Sequence, residues 1–385
     1  MKSLQFSHVP RVLFLYSGMS HLRSFPNGFV LLDLDSGDVS EHNVFHAHTP
    51  GVKIGEAGNS LWIKVFALIV TILDEYFIGR PIHPSPEPRW LHSSCLVEFG
   101  PVDARYETAC IFGGQNDNHK LFSDLYRVHV DVDFLRATWE VMNCLDEMSP
   151  IGRCGHTAHA VGSEILIFGG LGDVLGGARF LNDLLLLILS EDEAGYRVHN
   201  VKAHGTPPCP RYCHTSAISK DQMFIFGGWD MSRFYGDLHV YCRLSSTWNE
   251  VHTSGCVPRP CCQLAATHFT SSTDTGKGYL LLFGGCYRQD SDNPNSIVDF
   301  DEFRILDLDL LVWLPIARTL PAYKGALMAS VASATRGWIL SGGMYTSMYA
   351  DSRFRNDILF VRPSFQSKVY IFLLLSHFLC IHVVL

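Results

Sequence analysis

Short apolar runs recur along the chain, and each ends in a pair of small residues. They read Ala109-Cys110-Ile111-Phe112-Gly113-Gly114, Ile165-Leu166-Ile167-Phe168-Gly169-Gly170, Met223-Phe224-Ile225-Phe226-Gly227-Gly228, Leu280-Leu281-Leu282-Phe283-Gly284-Gly285 and, slightly eroded, Trp338-Ile339-Leu340-Ser341-Gly342-Gly343. The second glycines fall at 114, 170, 228, 285 and 343, at intervals of 56, 58, 57 and 58 residues. Apolar stretches this short, bounded by turn residues, predict buried β-strands rather than helices. A fixed period of this size marks an internal repeat.

Each period has the same internal order. A Pro/Arg/His segment such as Arg153-Cys154-Gly155-His156 or Arg211-Tyr212-Cys213-His214 precedes the apolar strand. A polar loop follows the diglycine. Next comes an Asp-led strand (Asp124-Leu125, Asp183-Leu184, Asp237-Leu238, Asp357-Ile358) and then an aromatic one (Trp139, Tyr196, Trp248, Trp313). Four strands per unit predict one blade of a β-propeller. A lone blade cannot bury both faces, so neighbours stack and the aromatic side chains fill the space between them.

With its diglycine, the Arg-x-x-His element before it and the aromatic after it, the chain resembles the kelch-repeat family. The resemblance covers residues 81–362 and implies an all-β, kelch-type β-propeller, expected to have six four-stranded blades. There are departures: Tyr196 replaces a Trp, Cys262-Gln263 stands where a His is expected, and Ala322-Tyr323-Lys324-Gly325 replaces the last Arg-x-x-His. Outside the repeats, residues 1–50 read as a degenerate first blade that also closes the ring, through residues 1–10. Residues 51–80 read as an insertion. Residues 363–385 form an apolar tail, uncharged after Lys368. The tail is expected either to complete the last blade, to pack as a helix, or to anchor the protein in a membrane. The uncharged stretch of 17 residues lies at the bottom of the spanning range.

Composition narrows the function. With 47% hydrophobic and only 18% charged residues, the chain of 385 residues has a core to bury and is not disordered. A net charge of −8 without a basic run disfavours nucleic acid as partner. Of the 12 cysteines, Cys110, Cys154, Cys213, Cys261, Cys262 and Cys286 sit beside glycines and apolar strand-like runs rather than forming a ladder of even pairs, so free thiols in a reducing compartment are expected, cytoplasmic or nuclear. The 19 histidines raise the question of a metal, but His92, His156 and His214 fall at repeated positions, which points to packing. Neither the Cys209/Cys213 spacing nor adjacent Cys261-Cys262 gives the paired spacing of a closed zinc site. No nucleophile elbow, phosphate loop, dinucleotide fingerprint or zinc-protease motif is present. The expectation is a protein without enzymatic activity, cofactor or metal. A metal-dependent oxidase of kelch-like fold is the alternative from another class, and a trafficking or cytoskeletal scaffold is the alternative among binding proteins.

The kelch resemblance also implies a funnel on one face that takes a protein or peptide partner. Carried over by position, the partner-binding candidates are Arg89, Arg153, Arg211 and Arg259, with Lys324 in the eroded repeat. After the diglycines they are Gln115, Asn116, Trp229, Asp230, Tyr287 and Arg288. A ring of guanidinium groups would favour an acidic peptide or a terminal carboxylate by bidentate pairing. The alternative is that these arginines pair with acids of their own blade and serve stability. On the first reading, Arg153→Ala and Arg211→Ala abolish capture and leave the melting temperature nearly unchanged. A substrate-adaptor role is one form this function takes.

Overall fold

The computed structural model describes residues 86–315, apart from 88, 98–105, 132–135, 175, 191–193, 271–277, 291–292 and 294–295. It also describes Gly325 and the backbone of strands at 12–16, 29–33, 39–41, 329–333, 337–341, 358–362, 369–374 and 379–383. The expected insertion at 51–80, the ring-closing residues 1–10 and Lys324 lie outside the described residues.

The repeat becomes four successive antiparallel blades, each a meander of inner, second, third and outer strand. Blade I comprises Ser93–Leu96, Tyr106–Phe112, Leu125–Asp131 and Arg136–Cys144. Blade II comprises Thr157–Val161, Glu164–Val174, Gly177–Leu189 and Gly195–Asn200. Blade III comprises Thr215–Ser219, Gln222–Phe226, Leu238–Cys242 and Thr247–Val251. Blade IV comprises Ala265–Thr270, Gly278–Phe283, Phe303–Asp307 and Val312–Trp313. The register repeats as well: the Phe that ends each second strand faces the first residue of the third, in the pairs Phe112/Leu125, Phe168/Leu184, Phe226/Leu238 and Phe283/Phe303.

A further sheet runs Ala329–Ser333, Gly337–Ser341, Ile358–Arg362, Val369–Leu374 and Leu379–Val383, and a three-stranded sheet runs Val12–Tyr16, Phe29–Asp33 and Val39–Glu41. Two segments of the apolar tail are therefore strands in the fifth sheet. No helix among the described residues is long and apolar enough to cross a membrane.

The inner strands of blades I to IV, and then Ala329–Ser333, lie side by side in chain order, as expected for blades set around one axis. Polar side chains cross from one inner strand to the next. Thr157 Oγ1 bonds His214 Nε2 at 2.9 Å, and His159 Nε2 bonds Ser216 Oγ at 2.7 Å. At the rim, the outer strand of one blade or the segment after it pairs in parallel with the outer strand of the next: Asn143-Cys144 with Gly195-Tyr196, His204-Gly205 with Thr247-Trp248, and Ser254-Gly255 with Val312-Trp313.

Between these two layers the blade faces are packed with buried apolar side chains. The outer-strand aromatic of one blade lies on the second-strand Phe of the blade before it, with ring centroids 5.1 Å apart for Phe168 and Trp248 and 5.3 Å for Phe226 and Trp313. Tyr196 is buried in the same core cluster as Phe112. The Tyr-for-Trp exchange thus keeps the seam.

Candidate functional site

The diglycines set the geometry of one end of the ring. In blade II, Gly169 and Gly170 have φ of 62° and 99°, a backbone region closed to most side chains, and a Cβ on Gly170 would lie 2.8 Å from the Cys154 carbonyl oxygen. The tight turn also ties blades together. The N–H of the second glycine donates to a carbonyl of the following blade: Gly114 to Arg153 at 2.8 Å, Gly170 to Arg211 at 2.9 Å, Gly228 to Cys261 at 2.8 Å and Gly285 to Gly325 at 2.8 Å.

The arginines carried over as partner-binding residues turn inward at this turn. Arg153 Nη1 and Nη2 donate to Asp183 Oδ1 and Oδ2, both at 2.8 Å, Nη1 also donates to the Gly169 carbonyl at 3.1 Å, and Nε donates to the Ile151 carbonyl at 3.3 Å. Arg211 does the same with Asp237 (2.6 and 2.8 Å), Gly227 (3.0 Å) and Cys209 (2.9 Å). Arg89 pairs with both oxygens of Asp124 and donates to Gly113 at 3.1 Å and to Glu87 at 2.9 Å. All three arginines are 0% exposed. Burial alone would raise the Asp237 carboxyl, but hydrogen bonds from Arg211 and His239 overcome it and hold it below the usual carboxylate range.

Each arginine thus clamps the pre-strand segment, the first glycine and the Asp-led strand of its own blade. Arg89, Arg153 and Arg211 form no guanidinium ring open to a partner. Arg153→Ala and Arg211→Ala would each leave a partly buried carboxylate without its cation, so both are expected to lower the melting temperature.

The histidines of the same element are equally internal. His156 Nε2 bonds Ser93 Oγ at 2.8 Å, and the His214 ring meets Phe168 edge-on at 5.3 Å. Burial, then the neighbouring Arg211 guanidinium, pushes His214 down to about 3, and burial, then Arg153, lowers His156 well below the ordinary histidine value. Both are neutral at physiological pH.

Blade IV departs from this scheme. The backbone tie places Cys261 at the position of Arg153 and Arg211, and the packing against Gly285 places Leu264 at the position of the histidines. Arg259 lies two residues before the arginine position. It is exposed, with its guanidinium 5.4 Å from the centroid of the Tyr287 ring. Glu302 takes the place of the clamp aspartate and pairs with Arg304.

The loops after the diglycines are where the side chains reach solvent. Gln115 is buried and accepts from Cys154 Sγ at 3.5 Å. Asn116 braces its own loop, accepting from the N–H groups of Asn118 and Lys120 and donating to Glu87. Asp230 braces the loop of blade III, accepting from the Ser232 N–H and Oγ, the Arg233 N–H and the Tyr235 hydroxyl.

Trp229 does something different. It stacks between Tyr212 (5.6 Å, 28°) and Phe234 (5.7 Å, 14°). Tyr212 in turn meets Phe180 at 5.4 Å, and the Arg288 guanidinium lies 5.6 Å from the Phe234 centroid. A ladder of half-buried rings therefore runs from blade II across blade III to a cation of blade IV. Exposed Arg233 lies 4.7 Å from the Tyr235 ring beside it. Tyr287 packs on Phe300 at 4.4 Å. Of the residues singled out from sequence, Trp229 and Arg288 are brought together in the ladder, and Arg259 with Tyr287 beside it. Phe180, Phe234 and Arg233 were missed because they sit in the variable loops, where no repeat signal marks them. Tyr212 was hidden inside the arginine element.

A family model described as the KLHDC2/KLHL20/DRC7 Kelch-repeats domain matches residues 80–271. Those residues belong to the kelch-repeat family. Among curated relatives, the chain is 30% identical over 230 residues to "Host cell factor" of Drosophila melanogaster, covering 53% of this chain and 14% of that protein. It is 27% identical over 251 residues to "Host cell factor 1" of Homo sapiens (58% and 12%) and 26% identical over 240 residues to "Acyl-CoA-binding domain-containing protein 4" of Arabidopsis thaliana (60% and 31%). The chain thus matches less than a third of the length of each of these proteins. A kelch-repeat domain supports a protein-interaction module, and its repeats here carry the clamp in blades I to III.

Proposed function

We propose that this kelch domain is a non-enzymatic interaction module that captures an acidic segment of a partner protein on the face bearing the post-diglycine loops. The observation that carries the reading is the ladder from Phe180 through Tyr212, Trp229 and Phe234 to Arg288. Half-exposed aromatic rings supply large contact area with few rotatable bonds, and arginine supplies bidentate donors for carboxylates. Cations of this face include Arg233, Arg259 and Arg288, with exposed Lys120 and Arg179 in the loops of blades I and II; Arg89, Arg153 and Arg211 act beneath it as supports. The same reading counts six blades, with the sheets at 12–41 and 329–383 added to blades I to IV.

The test is selection of a random peptide library on the immobilised full chain. Enrichment of Asp and Glu is expected, with affinity for the selected peptide falling about tenfold or more in Arg288→Glu. The melting temperature of that variant should stay near that of the parent, since Arg288 is half-exposed. Selection of neutral or basic peptides, or binding indifferent to Arg288→Glu, would rule the reading out.

A further inference from the structure

In each of blades I to IV the residue after the arginine position pairs across a short antiparallel bridge with the residue after the diglycine. Blade I pairs Trp90 with Gln115, blade II Cys154 with Leu171, and blade III Tyr212 with Trp229. Blade IV places Cys262 opposite Cys286.

Several features of this pair converge. The two sulfurs lie 3.6 Å apart, and the side chains are 2% and 4% exposed in an apolar cluster with Cys213, against Trp229 and Phe234. The equivalent pairs in blades I and III exchange both backbone hydrogen bonds. That geometry sets Cα atoms roughly 5.5 Å apart, inside the range a disulfide spans. The sulfurs need only a small side-chain rotation to bond. Among blades I to IV this is also the one without an arginine clamp: Cys261 stands in its place, and among the described residues no guanidinium ties the pre-strand segment to the first glycine.

We propose that Cys262 and Cys286 form a cross-strand disulfide on oxidation by a hydroperoxide, a covalent tie in the one described blade that lacks the ionic one. One thiol attacks the peroxide oxygen and becomes a sulfenic acid, releasing water or an alcohol. The second thiol then attacks that sulfur, and the S–O bond breaks with loss of water. Two thiols lose two electrons and two protons, and the peroxide is reduced.

The hydrogen bond to Cys286, then burial, pushes the Cys262 thiol up, so little thiolate is available. The reaction is therefore slow in the folded protein and faster when blade IV opens. Cys213 touches the same cluster, and Gln263 hydrogen-bonds both it and Cys286, but Cys213 lies on the inner segment of blade III, outside the bridge that sets Cys262 opposite Cys286. It is not the partner. The product constrains the turn between Cys262 and Cys286, which carries the second strand and the diglycine of blade IV.

The experiment treats the reduced full chain with hydrogen peroxide, blocks remaining thiols by alkylation, and maps peptides by mass spectrometry without reduction. A Cys262–Cys286 cross-linked peptide is expected, with a melting temperature several degrees higher that reverts on adding a thiol reductant. Cys262→Ser and Cys286→Ser should each lose the cross-link and the shift, and Cys213→Ser should keep both. Alkylation of both thiols after prolonged oxidation, sulfinic acid without a cross-link, or a cross-link to Cys213 would overturn the proposal. If the serine variants do not fold, the peptide map of the parent protein alone decides between these outcomes.

Discussion

Blades I to III and blade IV share a strand register, a backbone tie from glycine to the neighbouring blade and an aromatic seam, yet they hold their turns differently. In the first three, a buried guanidinium joins an aspartate, a glycine carbonyl and its own segment. In the fourth, a thiol stands at that position, Leu264 replaces the histidine, and the remaining acid pairs with Arg304 instead. Blade IV keeps the fold without the clamp, so hydrogen-bonded strands and apolar seams set the architecture, and the ion pair adds strength to a turn already formed. Buried pairs behave this way in general. They contribute little net when replaced whole, and their loss is severe when one partner is removed.

That contrast is open to direct measurement. The largest expected effect is Arg211→Ala, which removes a fully buried guanidinium, leaves partly buried Asp237 without its partner and should destabilise the protein by about 3–5 kcal/mol in denaturant unfolding. Cys261→Ala removes only a small apolar group and should lower stability by about 1–2 kcal/mol. Equal losses in the two variants would break the comparison.

Next in size is acid. The folded histidines at the repeated position titrate below the ordinary value, so between about pH 6.5 and pH 3 the unfolded chain binds protons that the folded chain refuses. Stability is complete above pH 6.5 and declines as pH falls through that window. By pH 5 the loss is roughly 2 kcal/mol for each such buried histidine. His214→Leu, which copies blade IV, should flatten the pH dependence of unfolding by one site's share. An unchanged slope would show that His214 is not neutral because of its burial.

The smallest effect belongs to Arg259→Ala. This exposed residue is outside the clamp, so stability should change by less than about 0.5 kcal/mol. A loss comparable to that of Arg211→Ala would mean that blade IV has a clamp after all, through Arg259.

The strands, their order and the seam aromatics were legible in the sequence because they are set by local chemistry repeated at a fixed period. Phe before Gly-Gly ends a buried strand, the glycines allow positive φ, and Trp139, Tyr196, Trp248 and Trp313 recur at the outer strand. Repetition averages out local ambiguity, so even Tyr196 could be placed.

The direction of the arginines was not legible in this way. The sequence element that marks Arg89, Arg153 and Arg211 is the same whether the guanidinium faces a partner or an aspartate. Their partners lie 35, 30 and 26 residues along the chain, reached only when the third strand folds back beside the second. The ring ladder is assembled from residues of three blades, and Cys262 meets Cys286 across a bridge that closes only after the intervening strand is in place. Repeated short-range chemistry therefore fixed the blades. Which charges are buried, which rings are presented and which thiols touch was decided by contacts between segments distant in sequence, and those exist only once the blades have folded and stacked.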